Sequence, residues 1–522
     1  MNRYRAKGAI TVFLSLISIL FLSLICTAIE SARFQGARAQ TANIADMGNY
    51  SVFGEYEKKL LEKYEVFSVD GSYGSGDFAI GRVNSRLQTF FSRNTQPKNG
   101  IVTGLCFDPW SLKLTNSKIT EYALLTDNNG EAFYQQAVAF MKETAATNIV
   151  GKLYEYHHDA QTAKSKQEEY ERTKNSSDQE MKALEAQEAA RKQELEAKRQ
   201  QELQAQQEAA QRGELIVIDP SPVEEVKKEN PLKALNRLRR KSIFQIVCGN
   251  NAVSEKTASK KDLCFRHSIK KGKMEINRKN SGLTSDLLFR EYLLDHFPNY
   301  LSKEKETGLD YQLEYILGGK LSDSKNLKSV INQLLLMREG LNYLYCVGNS
   351  QMNAEAGGLA SLLIGWTGMP ALIAIMKHAL LLGWSYGESL MDVRTLLDGG
   401  KIPLLKTETT WAIRLDNLAR INELLDAGGS HRQEGLTYKD YLRLLLNLHS
   451  MKDQKKRALD LIELNIKNIS GLSQFRADHC IVGMKTESEW TIPPVFSRAA
   501  RVFLGTAATS SEVTVKSGFA YD

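Results

Sequence analysis

Residues 9–29 read AITVFLSLISILFLSLICTAI and contain no charged side chain. A helix rises about 1.5 Å per residue, so this stretch is roughly 30 Å long, which is the thickness of the hydrocarbon core of a bilayer. The preceding residues 1–8 form a basic leader that carries Arg3, Arg5 and Lys7 and no acid. This charge pattern predicts that the N-terminus stays in the cytoplasm and that the C-terminal bulk is extracytoplasmic.

A cleaved signal peptide is the alternative to an uncleaved anchor, because it also has a basic start and an apolar centre. The apolar run is long for a signal peptide, however, and the segment Glu30-Ser31-Ala32-Arg33 after it has no clear small-x-small cleavage site. We therefore expect a single transmembrane helix over residues 9–29, in the cytoplasmic membrane, with membrane lipid as its first partner.

Five residues at the outer end of this helix are candidates for membrane contact and helix packing. Ala28, Ala32 and Gly36 repeat at a spacing of four residues, and small side chains at this spacing allow helices to approach closely in membranes. Glu30 and Arg33 lie between them, one helical turn apart, and are expected to form an ion pair at the membrane boundary.

Residues 30–152 predict a long helix followed by a small α/β region. An apolar stripe at helical spacing continues to about residue 67, with a break expected near Gly48 or Gly54. Strands are predicted over residues 100–107 and 119–126.

Residues 153–213 consist largely of Glu, Lys, Gln and Ala. This composition predicts a charged long helix or, with a break near residues 175–178, a helical hairpin that projects from the domain. The few apolar residues do not keep a heptad register, so a continuous coiled coil is not expected without a partner.

The basic charge is concentrated in one part of the chain. The net charge is +7, yet residues 227–279 alone contain sixteen Lys and Arg against four acids. This part of the basic linker region, residues 214–282, is either a solvated connection or a patch that binds an anionic cell-wall polymer. No aromatic interleaving supports nucleic-acid binding there, so no nucleic-acid partner is expected.

Residues 283–522 predict a mostly α domain that a small sheet closes, with strand-like segments at residues 477–483 and 512–517. Residues 357–376 carry no charge and are either a second membrane span or two core helices joined before Pro370. Glycines interrupt the stretch and a proline suits the first turn of a helix, so the core pair is favoured.

Recognisable catalytic patterns are absent from the sequence, which contains no G-x-S-x-G, H-E-x-x-H or phosphate-loop motif. Glu388 and Asp392, one helical turn apart, are the acids that a hidden site would use. Cys248 and Cys264 are close enough in sequence to form a disulfide bond, and no C-x-x-C pair is present. No enzymatic activity, cofactor or metal is expected.

The N-terminal sequence resembles a known family. The stretch KGAITVF (residues 7–13), the apolar run after it and ESARFQGARAQ (residues 30–40) are similar to Gram-positive membrane-anchored proteins of unknown function that occur with tight-adherence (Tad) type pilus and secretion loci. The resemblance also covers residues 283–490, including the segments YQLEYILGGK (residues 311–320), YGESLMDVRTLLDGGKIPL (386–404) and YKDYLRLLL (438–446).

The layout of the N-terminus also resembles that of Tad pseudopilins and, more distantly, of type IV pilins. In those proteins a basic leader ends in Gly before an apolar helix, so the resemblance makes Gly8 the candidate leader-processing residue. Pilins carry Glu at the fifth position after the cut, where this sequence has Phe13.

We therefore predict a mostly α protein with small β elements. A single N-terminal transmembrane helix continues into a long helix, followed by a projecting helical or coiled-coil arm and a helical C-terminal domain. The expected function is that of a membrane-anchored, non-enzymatic envelope protein, an assembly or minor pilin-like component of a Tad-type pilus or secretion system. Its partners would be other membrane components of that system. The alternative is an extracytoplasmic enzyme or ligand-sensing domain tethered by one transmembrane helix.

Overall fold

The structure is a computed structural model of the chain, and its described residues are mostly helical, with one small sheet. It describes residues 4–95, 110–145, 149–211, 231–239, 241–249, 252–267, 269–304, 307–365, 369–426, 434–496 and 510–521. The helices are α1 (Tyr4–Phe53), α2 (Lys58–Tyr64), α3 (Ile80–Thr95), α4 (Asp127–Thr144), α5 (Ile149–Gln211), α6 (Pro231–Arg239), α7 (Ile243–Val247), α8 (Leu283–His296), α9 (Gln312–Gly318), α10 (Asp323–Gly348), α11 (Ser350–Ile364), α12 (Pro370–Leu397), α13 (Ile421–Asp426), α14 (Tyr438–Leu448) and α15 (Met451–Lys467). The strands are β1 (Val69–Asp70), β2 (Lys113–Leu124), β3 (Cys480–Ile492) and β4 (Ser511–Ala520).

Helix α1 has two different surroundings along its length. An 18-residue window in its apolar N-terminal part has a mean hydropathy of 2.7, and none of that window is buried. Within the described residues it is the one helix that is long and apolar enough to cross a membrane. The C-terminal part of α1 packs against α3 and β4, with Ile44 and Val52 buried. The helix ends before Gly54, one of the two predicted breaks, whereas Gly48 lies inside it beneath the ring of Phe91.

The four strands form one antiparallel sheet with β3 at its centre. Strand β2 pairs along one edge of β3, while β4 and the short β1 pair along the other. One face of the sheet packs against α1 and α3, where Trp490 and Met484 are fully buried. Asn49 of α1 also donates to Thr486 and Ser517 on this face. Three of the predicted strand segments thus fall in β2, β3 and β4, and the segment 100–107 lies outside the described residues.

The helical core begins at the opposite face of the sheet, where Val482 packs with α4 and the helices after residue 231. Helices α10 and α12 are packed together at its centre. The described part of residues 214–282 also belongs to this core, since Leu238, Cys248 and Cys264 are buried. Apolar residues placed between the basic ones bury their side chains while the charges face solvent, so this part is not a separate linker. Cys248 and Cys264 are both free thiols, so the disulfide considered from the sequence is not formed.

The charged segment forms a single helix, α5, with a length of about 95 Å. Its N-terminal part crosses the helical core through Ala160, Ala163 and Tyr170, all of which are fully buried. Tyr170 donates its hydroxyl to Glu339 at 2.5 Å. The helix continues without interruption through residues 175–178, so the hairpin alternative was wrong. The break was an alternative to a continuous helix because Asn and Ser favour turns, but Ser177 is buried within the helix.

The uncharged residues 357–376 do not form a continuous span. They contribute the end of α11 and the start of α12, which pack against each other as a helical hairpin. Helix α11 contains 15 residues and is about 22 Å long, which is too short to cross a bilayer. The prediction of two packed helices with a proline at the start of the second is therefore confirmed for the described residues.

Buried and exposed tyrosines of α5 should differ in their contribution to stability. We expect Tyr170→Ala to lower the free energy of unfolding by about 3 kcal/mol, because it leaves a cavity and removes the hydrogen bond to Glu339. Tyr154→Ala is the matched control, because that ring is exposed on the same helix, and it should change stability by less than about 1 kcal/mol. Denaturant unfolding followed by circular dichroism measures both. Equal losses would contradict the packing described for α5.

Candidate functional site at the membrane boundary

The predicted pair of Glu30 and Arg33 is present just beyond the apolar run of α1. Arg33 Nη2 lies 2.7 Å from Glu30 Oε1, and the arginine is only 7% exposed. Arg33 also donates to the carbonyl oxygen of Trp110 at 3.0 Å and to that of Pro493. A guanidinium group can serve several acceptors at once because its donors lie in a fixed plane. One arginine therefore joins α1 to the segments that flank β2 and β3.

Glu30 makes the second half of this junction. Its carboxylate accepts hydrogen bonds from the backbone N–H groups of Val495 at 3.1 Å and Phe496 at 2.7 Å. Charge-assisted bonds to backbone donors are among the stronger polar contacts in proteins. The carboxylate thus holds the chain after β3 against the part of α1 that follows the apolar run. The sequence indicated the pair but not these partners, which lie more than 460 residues away along the chain.

The three small residues of the repeat have different environments. Ala28 and Ala32 are exposed, but the indole ring of Trp110 covers Gly36. A Cβ atom added at Gly36 would lie 2.3 Å from the Trp110 ring, so only glycine fits there. The neighbouring Ala37 is fully buried with Ile492 and Val513. The repeat therefore divides into an unoccupied pair, Ala28 and Ala32, and a glycine that the chain uses for its own packing. Gly8 lies in the first turns of α1.

The described residues contain a second polar cluster, deep in the helical core. Lys406 Nζ lies 2.6 Å from Glu388 Oε1 and 2.6 Å from Asp392 Oδ1. Arg338 Nε donates to Asp392 at 3.0 Å, and its Nη1 donates to the hydroxyl of Tyr441. Two cations and two carboxylates thus form a neutral network that connects α10, α12, the segment at residue 406 and α14.

The pKa values of the two carboxylates in this network shift in opposite directions. Burial raises the pKa of Asp392, but Arg338 and Lys406 outweigh that effect and hold it below its ordinary value. Burial raises the pKa of Glu388, although Lys406 and the N–H groups of Ala412 and Ile413 oppose the rise. Both carboxylates are almost completely inaccessible. The two acids singled out from the sequence therefore pair with internal cations and are not presented to a substrate.

Glu314, in the segment YQLEYILGGK, is a further buried acid. Its Oε1 accepts hydrogen bonds from the Tyr300 N–H at 2.9 Å and the Tyr438 hydroxyl at 2.7 Å. Burial raises the pKa of Glu314 to about 7. The side chain fixes a turn and a tyrosine inside the core, so its contacts are structural. Sequence reasoning missed it because an isolated Glu in a helix is usually exposed.

A surface cleft of about 280 Å³ lies above Glu388, next to Ala412 and Ile413. Its other lining residues include aromatic rings, two carboxylates and a guanidinium: Tyr345, Trp384, Trp411, Glu355, Glu408 and Arg414. Such a combination of ring faces and polar groups suits a small polar ligand. In the part of the chain that the structure describes, no three His, Cys, Asp or Glu residues are arranged to hold a metal ion.

Removal of one member of the buried network should lower the stability of the fold. We expect Lys406→Met to lower the free energy of unfolding by about 3–5 kcal/mol, because Glu388 and Asp392 then lose a shared counter-ion inside the core. Lys401→Met makes the same change at an exposed position five residues earlier and should cost less than about 0.5 kcal/mol. Denaturant melts of the two variants test this, and similar midpoints would show that the network does not stabilise the fold.

Comparison with known proteins identifies one family. A family model described as a family of unknown function (DUF5702) matches residues 221–492, which are 272 of the 522 residues. The matched region ends with the last residue of β3, the central strand of the sheet. No curated protein and no solved structure matches the chain. The match covers just over half of the sequence, and the chain therefore belongs to the DUF5702 family of unknown function.

Proposed function

We propose that this protein is a membrane-anchored, non-enzymatic envelope protein that acts as an assembly or minor pilin-like component of a Tad-type pilus or secretion system. One observation carries the proposal. A continuous α1 exposes an apolar first part and attaches its second part to an antiparallel sheet. Pilin-like proteins have this layout, in which the free part of the helix packs with other subunits in the membrane or filament.

The junction at Glu30 and Arg33 supports this function physically. A helix that transmits the position of one subunit to the next must be fixed to its globular head. Arg33 and Glu30 supply that attachment through four groups on the two segments beside the sheet, the carbonyls of Trp110 and Pro493 and the N–H groups of Val495 and Phe496. These four groups are backbone groups, so they are available whatever side chains the two segments carry.

The proposed orientation follows from charge. The basic leader before residue 9 keeps the N-terminus inside, and the sheet and helical core are then extracytoplasmic. On that side the exposed basic residues Lys270, Lys271, Lys273, Arg278 and Lys279 would meet anionic cell-wall polymer. Processing after Gly8 would follow the pseudopilin route, in which the apolar helix becomes the new N-terminus.

A ligand-sensing domain is the second candidate, and the cleft beside Trp411 favours it. The cleft is open to solvent and carries both Glu355 and Glu408. The buried network below it is fully paired, which argues for binding in the cleft and against acid–base chemistry at Glu388. A ligand there would act on a domain that the same anchor tethers.

The exposed small residues of α1 provide the test. With a photo-cross-linker at position 32, in membranes that contain the other components of the locus, we expect adducts to partner membrane helices. Ala28→Leu should reduce these adducts several-fold, because a larger side chain keeps the helices apart. Ala39→Leu, also exposed on α1 but outside the repeat, is the matched control and should have no effect.

Gly36→Leu is unsuitable for this purpose, because it would displace Trp110 inside the same chain. The assembly proposal fails if position 32 gives no inter-protein adduct. It also fails if Ala28→Leu and Ala39→Leu give the same yield. Immunoblots of membrane fractions check that all variants are present at equal levels.

A further inference from the structure

The cleft beside Trp411 has an aromatic wall built from separate elements. Tyr345 lies near the end of α10 and Trp384 lies in α12, while Trp411 follows α12 in the chain. Tyr345 and Trp411 stack with ring centroids 5.4 Å apart, and Trp384 contacts Trp411 edge to face at 6.0 Å. Rings that pack on one another hold their positions, so the cleft has a preformed apolar wall.

Several hydrogen-bond donors around the cleft already have acceptors in the protein. Both indole N–H groups donate to the carbonyl oxygen of Ile413 at 2.7 Å. The backbone N–H groups of Ala412 and Ile413 donate to Glu388 below the cleft. The side-chain amide of Gln351 donates to Glu355 at 3.0 Å. A ligand that needed these donors would have to displace existing hydrogen bonds.

Acceptors, in contrast, are in excess. Glu355 and Glu408 are both exposed at the cleft. Among the described residues, the Glu408 carboxylate has neither a hydrogen bond nor an ion pair, and Glu355 accepts one bond although a carboxylate offers about four acceptor sites. The guanidinium of Arg414 also lines the cleft, but it lies 3.5 Å from the carboxylate of Asp416, which does not. The cleft is therefore negative and rich in acceptors.

We propose that the cleft beside Trp411 binds a small organic ammonium ion, with its charged group at Glu355 and Glu408 and its apolar body against the aromatic wall. An ammonium group supplies donors and a positive charge and needs no acceptor in return, which matches what the cleft offers. At about 280 Å³ the cleft is at the small end of ligand sites, so it suits a small molecule better than a peptide. The inference rests on the ligand-sensing candidate and not on a role in a pilus.

The first turn of α11 is the feature that would favour an anion instead, because a helix N-terminus carries a partial positive charge of about half an elementary charge. Asn349 caps this end, since its side chain accepts the N–H of Met352 at 3.0 Å. The two carboxylates at the cleft outweigh that partial charge. An anionic ligand is nevertheless a specific alternative, and the experiment distinguishes it.

Ligands that share one apolar body and differ in charge test the inference. We titrate n-butylamine, 1-butanol and butyrate into the full-length chain in detergent and follow binding by saturation-transfer NMR and tryptophan fluorescence. Butylamine should bind about tenfold more tightly than butanol, because only the cation pairs with the two carboxylates, and butyrate should bind most weakly. Methylamine should bind about tenfold more weakly than butylamine, because it is too short to cover the aromatic wall.

Phosphoethanolamine represents the other source of an ammonium group, a lipid headgroup. It should bind more weakly than butylamine, because its phosphate would face Glu355 and Glu408. Tighter binding of phosphoethanolamine would overturn the assignment to a small free amine.

Two variants of the cleft should change the affinity for butylamine in opposite directions. Glu408→Gln should weaken it about threefold to fivefold, and Arg414→Gln should tighten it about twofold to threefold, because one removes an opposite charge and the other a like charge. Glu512→Gln is the matched control, since Glu512 is exposed on β4, and it should leave the affinity unchanged. Melting temperatures should be equal for all three variants, because each side chain is exposed.

Equal affinities for butylamine and butanol would overturn the inference, and so would weaker butylamine binding in Arg414→Gln. A preference for butyrate would overturn it too, but would leave the ligand-sensing candidate in place. Binding of none of the probes would count against both. None of these results depends on the partners tested at position 32.

Discussion

The ion pair of Glu30 and Arg33 lies where α1 changes from an apolar surface to a surface covered by protein. Before it, the helix exposes uncharged side chains; after it, Gly36 and Ala37 accept Trp110 and the ends of β3 and β4. The pair attaches α1 to the sheet at this point, because its hydrogen bonds reach both segments that flank the sheet. The sheet in turn supports the helical core through β3. Loss of the pair would therefore loosen the segments at residues 110–114 and 490–496, while Ile44 and Val52 keep α1 packed on the sheet.

Features with a local cause could be predicted from the sequence. The apolar run, the end of α1 at Gly54 and the i,i+3 pair of Glu30 and Arg33 all follow from residue spacing and glycine chemistry. The contacts that complete the junction could not, because Trp110 and Pro493 come from distant parts of the chain. The sequence predicted a long helix for α5 but left a hairpin open, because the burial of Ser177 within it depends on distant parts of the chain. Likewise, Glu388 and Asp392 are recognisable as a pair, but only the fold reveals that Lys406 and Arg338 neutralise them.

The contacts of the buried acids and the exposed surfaces help to distinguish the candidate functions. Glu388 and Asp392 are paired with cations, and Glu314 accepts a hydrogen bond from the Tyr438 hydroxyl, so these contacts hold the core together. Among the described residues, the exposed surfaces include the face of Ala28 and Ala32 and the cleft beside Trp411. The first of these suits an apolar helix, and the second suits a small polar ligand. The family match ends with β3, whose pairing strands all lie outside the matched region, so residues before 221 and after 492 complete the sheet.

Amide hydrogen exchange of the full-length chain in lipid nanodiscs tests most directly whether α1 is one rigid helix from its apolar part to the part packed on the sheet. The structure predicts slow exchange without interruption from residue 30 to residue 53, because α1 is continuous and its outer half is packed on the sheet. It also predicts that Arg33→Met accelerates exchange in the segments at residues 110–114 and 490–496. Rapid exchange between residues 30 and 40 in the unmodified protein would contradict a continuous α1. It would mean that a flexible hinge separates the apolar part of α1 from the part packed on the sheet.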